Sequence, residues 1–227
     1  MIAYTPCDVA LAMVLVARQS ALAVVQEKNC FPLVCDLATA GDLPTLFAHR
    51  LAPQASRLTT FFGMIPNFEP KQILPKLAPL IRPKDFLLFS ANLAPGDNYA
   101  EGMKKILPQY DNTLTADWLM TFLLDLGVEK SDGELRFAIE DSGSDLKRIV
   151  ARFHFSRAKQ IKVDDESFKF RRGESIRIFF SYRYTPECVC KMLAEYGLEV
   201  CGQWIAKSQE EGIFLLRRSG VSTERRS

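Results

Sequence analysis

The sequence predicts an α/β protein with a mixed α+β segment inserted before its last elements. Three observations support this class. Over about the first 95 residues, short apolar strands alternate with segments of helix length. The pattern then changes to helices and to antiparallel strands, and the chain closes with a helix and two strands that can return to the first sheet. The early alternation predicts a largely parallel sheet covered by helices on both faces.

The first part contains four predicted strands and three predicted helices. The strands are expected at residues 2–4, 31–35, 57–62 and 85–92, and the helices at 9–28, 40–50 and 69–81. Apolar residues dominate positions 9–25, but Arg18, Gln19 and Ser20 interrupt the run, which favours a core helix over a membrane span. Pro75 is expected to shorten or bend the third helix.

The second part is predicted to be helical to about residue 127 and then mainly extended. Trp118 and Phe122 fall in the helical stretch and are expected to be packing residues. Strands are predicted at 135–140, 146–158, 160–163, 175–184, 198–206 and 212–218. A helix from 186 to 196 follows Thr185 as N-cap, with Pro186 at its first position.

These elements predict four successive regions along the chain. We expect an α/β nucleotide-binding half over 1–95 and a mixed α+β insert over 96–184. A helix and terminal hairpin returning to the core are expected over 185–218, and a disordered tail over 219–227.

Composition and charge argue for a soluble protein with small-molecule partners. The chain has 227 residues, of which 48% are hydrophobic and 25% charged, which fits one large or two small domains. Its 29 basic and 27 acidic side chains give a net charge of +2, so no overall field favours nucleic acid or an anionic membrane. The basic run around Phe168 and Phe170 fits a solvated hairpin better than a nucleic-acid patch.

The cysteines predict reduced thiols in the cytoplasm. Six cysteines stand at positions 7, 30, 35, 188, 190 and 201, and the two histidines are isolated. Their spacing matches no structural zinc pattern, and no signal peptide precedes them. We expect neither a metal site nor disulfides.

Polar residues that follow predicted strands are the first candidates for function. Asn67 lies in a Gly-Met-Ile-Pro-Asn turn after an apolar strand, and Asp8 and Asp36 follow two short strands. Ligands of open α/β sheets bind at the carboxyl ends of strands, where aspartates can accept hydrogen bonds from a ribose or an adenine amine. The alternatives stay open: the aspartates can cap the following helices, and Asn67 can serve the turn alone.

Several short motifs in order resemble the histidine Nα-methyltransferase family of ergothioneine biosynthesis. They are Tyr4-x-Pro6-x-Asp8, Cys35-Asp36-Leu37, Phe62-Gly63-Met64-Ile65-Pro66-Asn67-Phe68, Leu87-Leu88-Phe89-x-x-Asn92-Leu93, Tyr110-Asp111-Asn112 with Thr115-Ala116, Gly173-Glu174-x-Ile176, and Ser181-x-x-Tyr184-Thr185-Pro186-Glu187. The likeness extends over nearly the whole chain.

The resemblance implies an S-adenosylmethionine-dependent methyltransferase with a Rossmann-like class I core and an inserted substrate domain. Asp8 would then bind the ribose of the cofactor, and Asp36 and Leu37 would lie at its adenine. The resemblance also implies substrate-binding roles. Asn67 would hold the amine and act in catalysis, Tyr110 would help bind the carboxylate, and Ser181 would lie at the ring.

The sequence departs from the family pattern in two ways. Phe179 stands two residues before Ser181, where family members that bind histidine have an acidic residue, so a less polar aromatic ring is a plausible substrate. No Gly-x-Gly-x-x-Gly loop occurs in the sequence, and the one expected in the family would precede Tyr4. We therefore expect a core that lacks its first strand and helix at the amino terminus.

The function that the resemblance implies is N-methylation of the α-amino group of histidine or a related aromatic amino acid. S-adenosylmethionine would be the cofactor, and no metal or covalent nucleophile is required. The alternative is a catalytically inactive, truncated chain that acts at most as a binding module. A nucleotide-dependent dehydrogenase is disfavoured, because the phosphate-binding loop is absent from the sequence.

Overall fold

A computed structural model describes residues 2–50, 54–143 and 145–220. Positions 221–227 of the predicted disordered tail lie outside the described residues. The chain divides into two compact units. The first comprises the described residues up to Ser56 together with Pro70–Leu80, and the second comprises Arg57–Glu69 and the described residues from Ile81 onward.

The first unit contains one short parallel strand pair and three helices. Its elements are β1 (Cys7–Asp8), α1 (Leu11–Ala21), β2 (Leu33–Val34), α2 (Leu43–Arg50) and α3 (Pro70–Leu77). The pair β1–β2 aligns Cys7 with Leu33 and Asp8 with Val34.

Two predictions for the first unit are wrong. The first strand is at Cys7–Asp8 and not at residues 2–4, where Tyr4 forms only an isolated bridge with Cys30. Helix α1 ends at Ala21, and of its residues only Val14 is buried. Its apolar residues are distributed around the whole helix, so one side can be covered while Leu11, Met13, Leu15 and Val16 remain exposed.

The second unit contains a four-stranded mixed sheet. Its strands are β3 (Leu58–Phe61), β4 (Phe86–Asn92), β10 (Leu198–Ile205) and β11 (Glu211–Arg218), in the order β10-β11-β4-β3. Only β3 and β4 are parallel, and the terminal hairpin joins β4 in antiparallel register. The prediction of a largely parallel sheet is therefore wrong: two parallel pairs, β1–β2 and β3–β4, belong to separate sheets of a mixed α/β fold.

The inserted segment consists of two helices and antiparallel strands. It contains α4 (Tyr99–Ile106), α5 (Thr113–Asp125), β5 (Gly133–Asp141), β6 (Lys147–Phe155), β7 (Lys159–Val163), β8 (Glu166–Phe170) and β9 (Ser175–Arg183). The sheet order is β5-β6-β9, and β7–β8 form a separate hairpin. The central strand β6 is the most buried, because sheet neighbours cover both its edges.

The end of β9 is joined to the end of β4. Leu93 and Tyr184 form an isolated parallel bridge, supported by backbone hydrogen bonds from Tyr184 N to Asn92 O and from Ala94 N to Tyr184 O. The helix α6 (Pro186–Ala194) then begins, and the predicted cap is confirmed: the Thr185 hydroxyl accepts a hydrogen bond from Cys188 N. Among the described residues, no helix is long and apolar enough to cross a membrane.

Candidate active site

The turn that carries Asn67 is a short 3-10 helix, Ile65–Asn67, after β3. Gly63 enters it with φ 67°, a left-handed conformation that glycine adopts without strain, and its N–H donates to Ser90 Oγ at 2.8 Å. Ile65 and Pro66 are buried, whereas Asn67 is exposed. The buried pair thus fixes the backbone, and the amide side chain of Asn67 is left accessible.

Three polar side chains meet on one face of β9. Ser181 and Arg183 are two positions apart on the strand, so their side chains point to the same side. Tyr110, from the turn after α4, places its hydroxyl 3.0 Å from Ser181 Oγ and accepts a hydrogen bond from Arg183 Nη2 at 2.7 Å. The Arg183 guanidinium also lies over the Tyr110 ring, 5.4 Å from its centroid.

Phe179 extends this face with an aromatic surface. Its ring centroid is 5.7 Å from that of Tyr110 and 6.4 Å from that of Trp118. A cleft of about 250 Å³ opens beside it, lined by Trp118, Leu119, Thr121, Phe122, Ile178 and Phe179. Trp118 and Phe122 are 62% and 57% exposed, so the prediction that they are packing residues is wrong.

The neighbouring positions of β9 anchor the segment that follows Asn67. Tyr182 OH donates to Glu69 Oε2 at 2.7 Å, and Arg148 Nη1 donates to Glu69 Oε1 at 2.9 Å. Burial, reinforced by the Glu69 carboxylate, raises the pKa of Tyr182, so its hydroxyl remains a donor. Tyr184 OH donates to Ile65 O at 3.4 Å.

The structure thus brings together some of the predicted substrate residues. Tyr110, Phe179 and Ser181 form one cluster. The segment around Asn67 is attached to the same strand through Tyr182 and Tyr184, which lie on the opposite face of β9 from the cluster. Asn67 itself has no hydrogen bond to Tyr110 or Ser181.

Sequence reasoning missed Arg183 and Glu69. The signal for Arg183 was its position two residues after Ser181 on a predicted strand, which places both on one face. Glu69 follows Asn67 by two residues, but its partners come from distant strands, so no local pattern marked it.

The predicted cofactor residues lie in the first unit. Asp8 is on β1, and Asp36 and Leu37 lie two and three residues after the end of β2. One carboxylate oxygen of each aspartate accepts a local backbone hydrogen bond, from Ala10 N and from Ala38 N, both at 2.8 Å. These contacts stabilise local turns and are not the helix caps that the sequence left as an alternative, since α1 has no side-chain cap hydrogen bond. They leave the second oxygen of each carboxylate for another donor.

Two thiols lie beside these aspartates. Cys7 Sγ and Cys35 Sγ are 3.1 Å apart, and both cysteines are reduced. Burial of the thiol, together with Cys35 and Asp8, raises the pKa of Cys7 to about 12. In the described part of the chain, no three His, Cys, Asp or Glu side chains gather as a metal-binding group.

Comparison with known proteins identifies the family. A sequence profile of histidine-specific, S-adenosylmethionine-dependent methyltransferases matches residues 1–218. The chain belongs to this family, and by family it is an S-adenosylmethionine-dependent methyltransferase. No curated protein sequence matches significantly.

Solved structures show only distant similarity. An S-adenosylmethionine-dependent methyltransferase from Clostridium acetobutylicum has 11% identity and a TM-score of 0.44, over 96% of this chain and 76% of that one. The CcbJ methyltransferase from Streptomyces caelestis has 9% identity and a TM-score of 0.44, over 95% and 74%. The glycopeptide N-methyltransferase MtfA, complexed with sinefungin, has 9% identity and a TM-score of 0.40, over 94% and 76%. At these values the similarity assigns no residue roles.

Proposed function

We propose that this chain methylates the α-amino group of histidine or a related aromatic amino acid, with S-adenosylmethionine as methyl donor. The observation that carries the substrate class is the cluster of Tyr110, Phe179 and Ser181, which combines hydroxyl groups with an aromatic wall in a chain of this family. Family membership supports methyl transfer, and the cluster supports the choice of ligand.

The cleft favours a largely apolar ring. Its lining is mainly aromatic and aliphatic, and Phe179 cannot accept the N–H of an imidazole. Aromatic pairs prefer tilted or edge-on contacts with centroids about 4.5–7 Å apart, which the rings of Trp118 and Phe179 can offer to a third ring. Ser181 can donate or accept one hydrogen bond at the edge of such a ring, so tryptophan, phenylalanine and tyrosine are candidates besides histidine.

Asn67 is proposed to orient the amine. Methyl transfer requires a neutral amine whose lone pair points at the methyl carbon, and correct placement supplies much of the rate. The carbonyl oxygen of an exposed asparagine can accept an N–H of the amine and so direct the lone pair away from itself. The buried Ile65 and Pro66 support this role, because they hold the Asn67 backbone in place.

The hydrogen-bond acceptors of the first unit fit the cofactor. Asp8 and Asp36 each keep a carboxylate oxygen that can accept hydrogen bonds from the ribose hydroxyls and the adenine amine, and Leu37 offers apolar contact. When bound, S-adenosylmethionine supplies an electrophilic methyl group on a sulfonium. Asp8, Asp36 and Leu37 are therefore the proposed cofactor residues.

The test combines cofactor binding with product analysis. Calorimetry measures the affinity for S-adenosylmethionine, and mass spectrometry detects methylated histidine, tryptophan, phenylalanine and tyrosine. We expect Asp8→Ala to weaken cofactor binding by about 10- to 100-fold, the value of a hydrogen bond to a charged group. Asn67→Ala should leave cofactor affinity unchanged and lower the rate of methyl transfer about 100-fold. Asp97→Ala, at an exposed aspartate with no proposed role, is the matched control.

The alternative is a catalytically inactive chain that acts at most as a binding module. No heat of binding at millimolar S-adenosylmethionine, with no methylated product, would exclude the enzymatic proposal for this chain.

A further inference from the structure

Arg183 is a buried cation without a matching anion. The residue is 6% exposed, and no carboxylate among the described residues forms an ion pair with it. Its Nη2 donates to the Tyr110 hydroxyl, but its buried Nε has no hydrogen-bond partner. The charge is therefore removed from water without full compensation.

A second arginine beside the same strand shows what compensation looks like. Arg148 also has a buried Nε without a partner, but its two Nη atoms contact the carboxylates of Glu69, at 2.9 Å, and Glu140, at 3.5 Å. Burying an ion without a counter-charge is costly, so proteins normally pair buried charges. The absence of such a partner at Arg183 indicates that an anion from outside the described chain completes this site.

The surrounding groups define the class of anion. The Tyr110 and Ser181 hydroxyls lie 3.0 Å apart next to the guanidinium, and either can turn a proton toward a ligand. A planar carboxylate has two oxygens, which suits a guanidinium and a hydroxyl together. Phe179 lines the aromatic cleft and its ring contacts Tyr110, so a ligand that carries both a carboxylate and an aromatic ring matches the chemistry of these neighbouring groups.

We propose that Arg183 binds the α-carboxylate of the substrate, together with Tyr110, and so restricts the chain to amino acids over the corresponding decarboxylated amines. The inference rests on the proposed function for the identity of the ligand. It adds a binding residue and a selectivity. A ligand without the carboxylate leaves the Arg183 charge unpaired, so the amine gains less from binding than the amino acid does.

The test compares two acid and amine pairs on matched variants. Binding of L-tryptophan, tryptamine, L-histidine and histamine is measured by calorimetry, and methylation of each by mass spectrometry. In the unsubstituted protein, at least one amino acid should bind at least tenfold more tightly than its amine. Arg183→Met should abolish this preference, and Arg183→Lys should restore part of it, since the charge returns without the fork geometry.

A stability measurement separates binding from folding. Arg183→Met removes the unpaired buried charge together with its hydrogen bond to Tyr110, and these effects oppose each other, so the thermal midpoint should change little. Arg177→Met, at an exposed arginine of the same strand, is the control and should alter neither midpoint nor preference. A midpoint of ligand-free Arg183→Met lowered by more than the loss of the Tyr110 hydrogen bond explains would show that Arg183 has a further structural partner and would overturn the inference.

The remaining outcomes distinguish this inference from the proposed function. Preferential binding of the amino acid without methylation would support the carboxylate site and refute methyl transfer. Methylation of acid and amine with equal efficiency, unaffected by Arg183→Met, would refute the carboxylate site and support methyl transfer. Binding of neither acid nor amine would refute both.

Discussion

Asp132 is the most strongly connected buried carboxylate of the insert, and its replacement gives a sharp test of the structure. It is fully buried at the end of a 3-10 turn, Lys130–Asp132, just before β5. Its carboxylate accepts hydrogen bonds from Glu129 N at 2.8 Å, from Arg157 Nε at 2.5 Å and from Lys159 Nζ at 2.6 Å. Asp132→Asn removes the charge and keeps the shape.

The size of the effect follows from the pKa of Asp132. Burial acts to raise it, but the hydrogen bonds from Lys159, Glu129 N and Arg157 outweigh burial and lower the pKa from 3.8 to about 2. This difference corresponds to about 2 kcal/mol, at about 1.36 kcal/mol per pKa unit. Because the pKa is depressed in the folded state, the contribution is complete above pH 3.8 and is lost as the pH falls through about 2.

The assay is urea unfolding at pH 7 and at pH 2, followed by the fluorescence of Trp118 and Trp204. At pH 7 we expect Asp132→Asn to lower the free energy of unfolding by about 2 kcal/mol, and at pH 2 the two proteins should differ little. Asp117→Asn removes an exposed ion pair with Lys130, so it should cost less than about 1 kcal/mol at either pH. An Asp132→Asn effect of the same size at both values of pH would refute the reasoning.

Three further predictions concern packing, capping and thiol reactivity. Gly133→Ala should lower the free energy of unfolding by about 1–3 kcal/mol in urea titrations, because a Cβ there would lie 2.1 Å from His154 O, whereas Gly41→Ala, in open space, should have little effect. Thr185→Ala should cost about 1 kcal/mol through loss of the α6 cap, and Thr185→Ser should retain it; an unchanged thermal midpoint for the alanine variant would contradict the cap. Alkylation of Cys7 by iodoacetamide, followed by peptide mass spectrometry, should accelerate roughly tenfold per pH unit between pH 7 and 10, since only the thiolate reacts and the pKa of Cys7 is about 12; a plateau near pH 9 would contradict this.

Local sequence signals located most elements of the second unit. The predicted strands at 135–140, 175–184 and 212–218 match β5, β9 and β11 to within two residues at each end. Alternating apolar residues and the turn signals at their ends identify such strands. The sequence was less informative in the first unit, where β1 and β2 have two residues each and their pattern is too short to be distinctive.

Pairing partners were harder to predict than the elements themselves. The alternation over the first 95 residues suggested one largely parallel sheet, but β4 receives the antiparallel β11 as a neighbour. Strand order depends on contacts between residues more than a hundred positions apart, and local periodicity carries no information about them. The same limit explains why the predicted burial of α1 and of the α5 residues Trp118 and Phe122 was wrong. Apolar composition alone does not show which residues another element covers.

The candidate site divides in the same way. Asp8, Asp36 and Asn67 were candidates because they follow predicted strands. Tyr110, Phe179 and Ser181 were candidates only through the resemblance to the family. Their roles stay predictions. The sequence could not predict that Tyr110 contacts Ser181, because the two residues are 71 positions apart in the chain. The structure shows one hydrogen bond between them and one ring contact between Tyr110 and Phe179.

By itself, the sequence determined the mixed α/β class, most strand and helix positions in the insert, and the family. These depend on side-chain periodicity, caps and short motifs, which act over a few residues. Only the tertiary structure decided that Arg183 is a buried cation beside Tyr110 and Ser181 without a carboxylate partner among the described residues. Burial and charge pairing are sums over neighbours from distant parts of the chain, so an arginine on a strand reveals its environment only when the chain is folded.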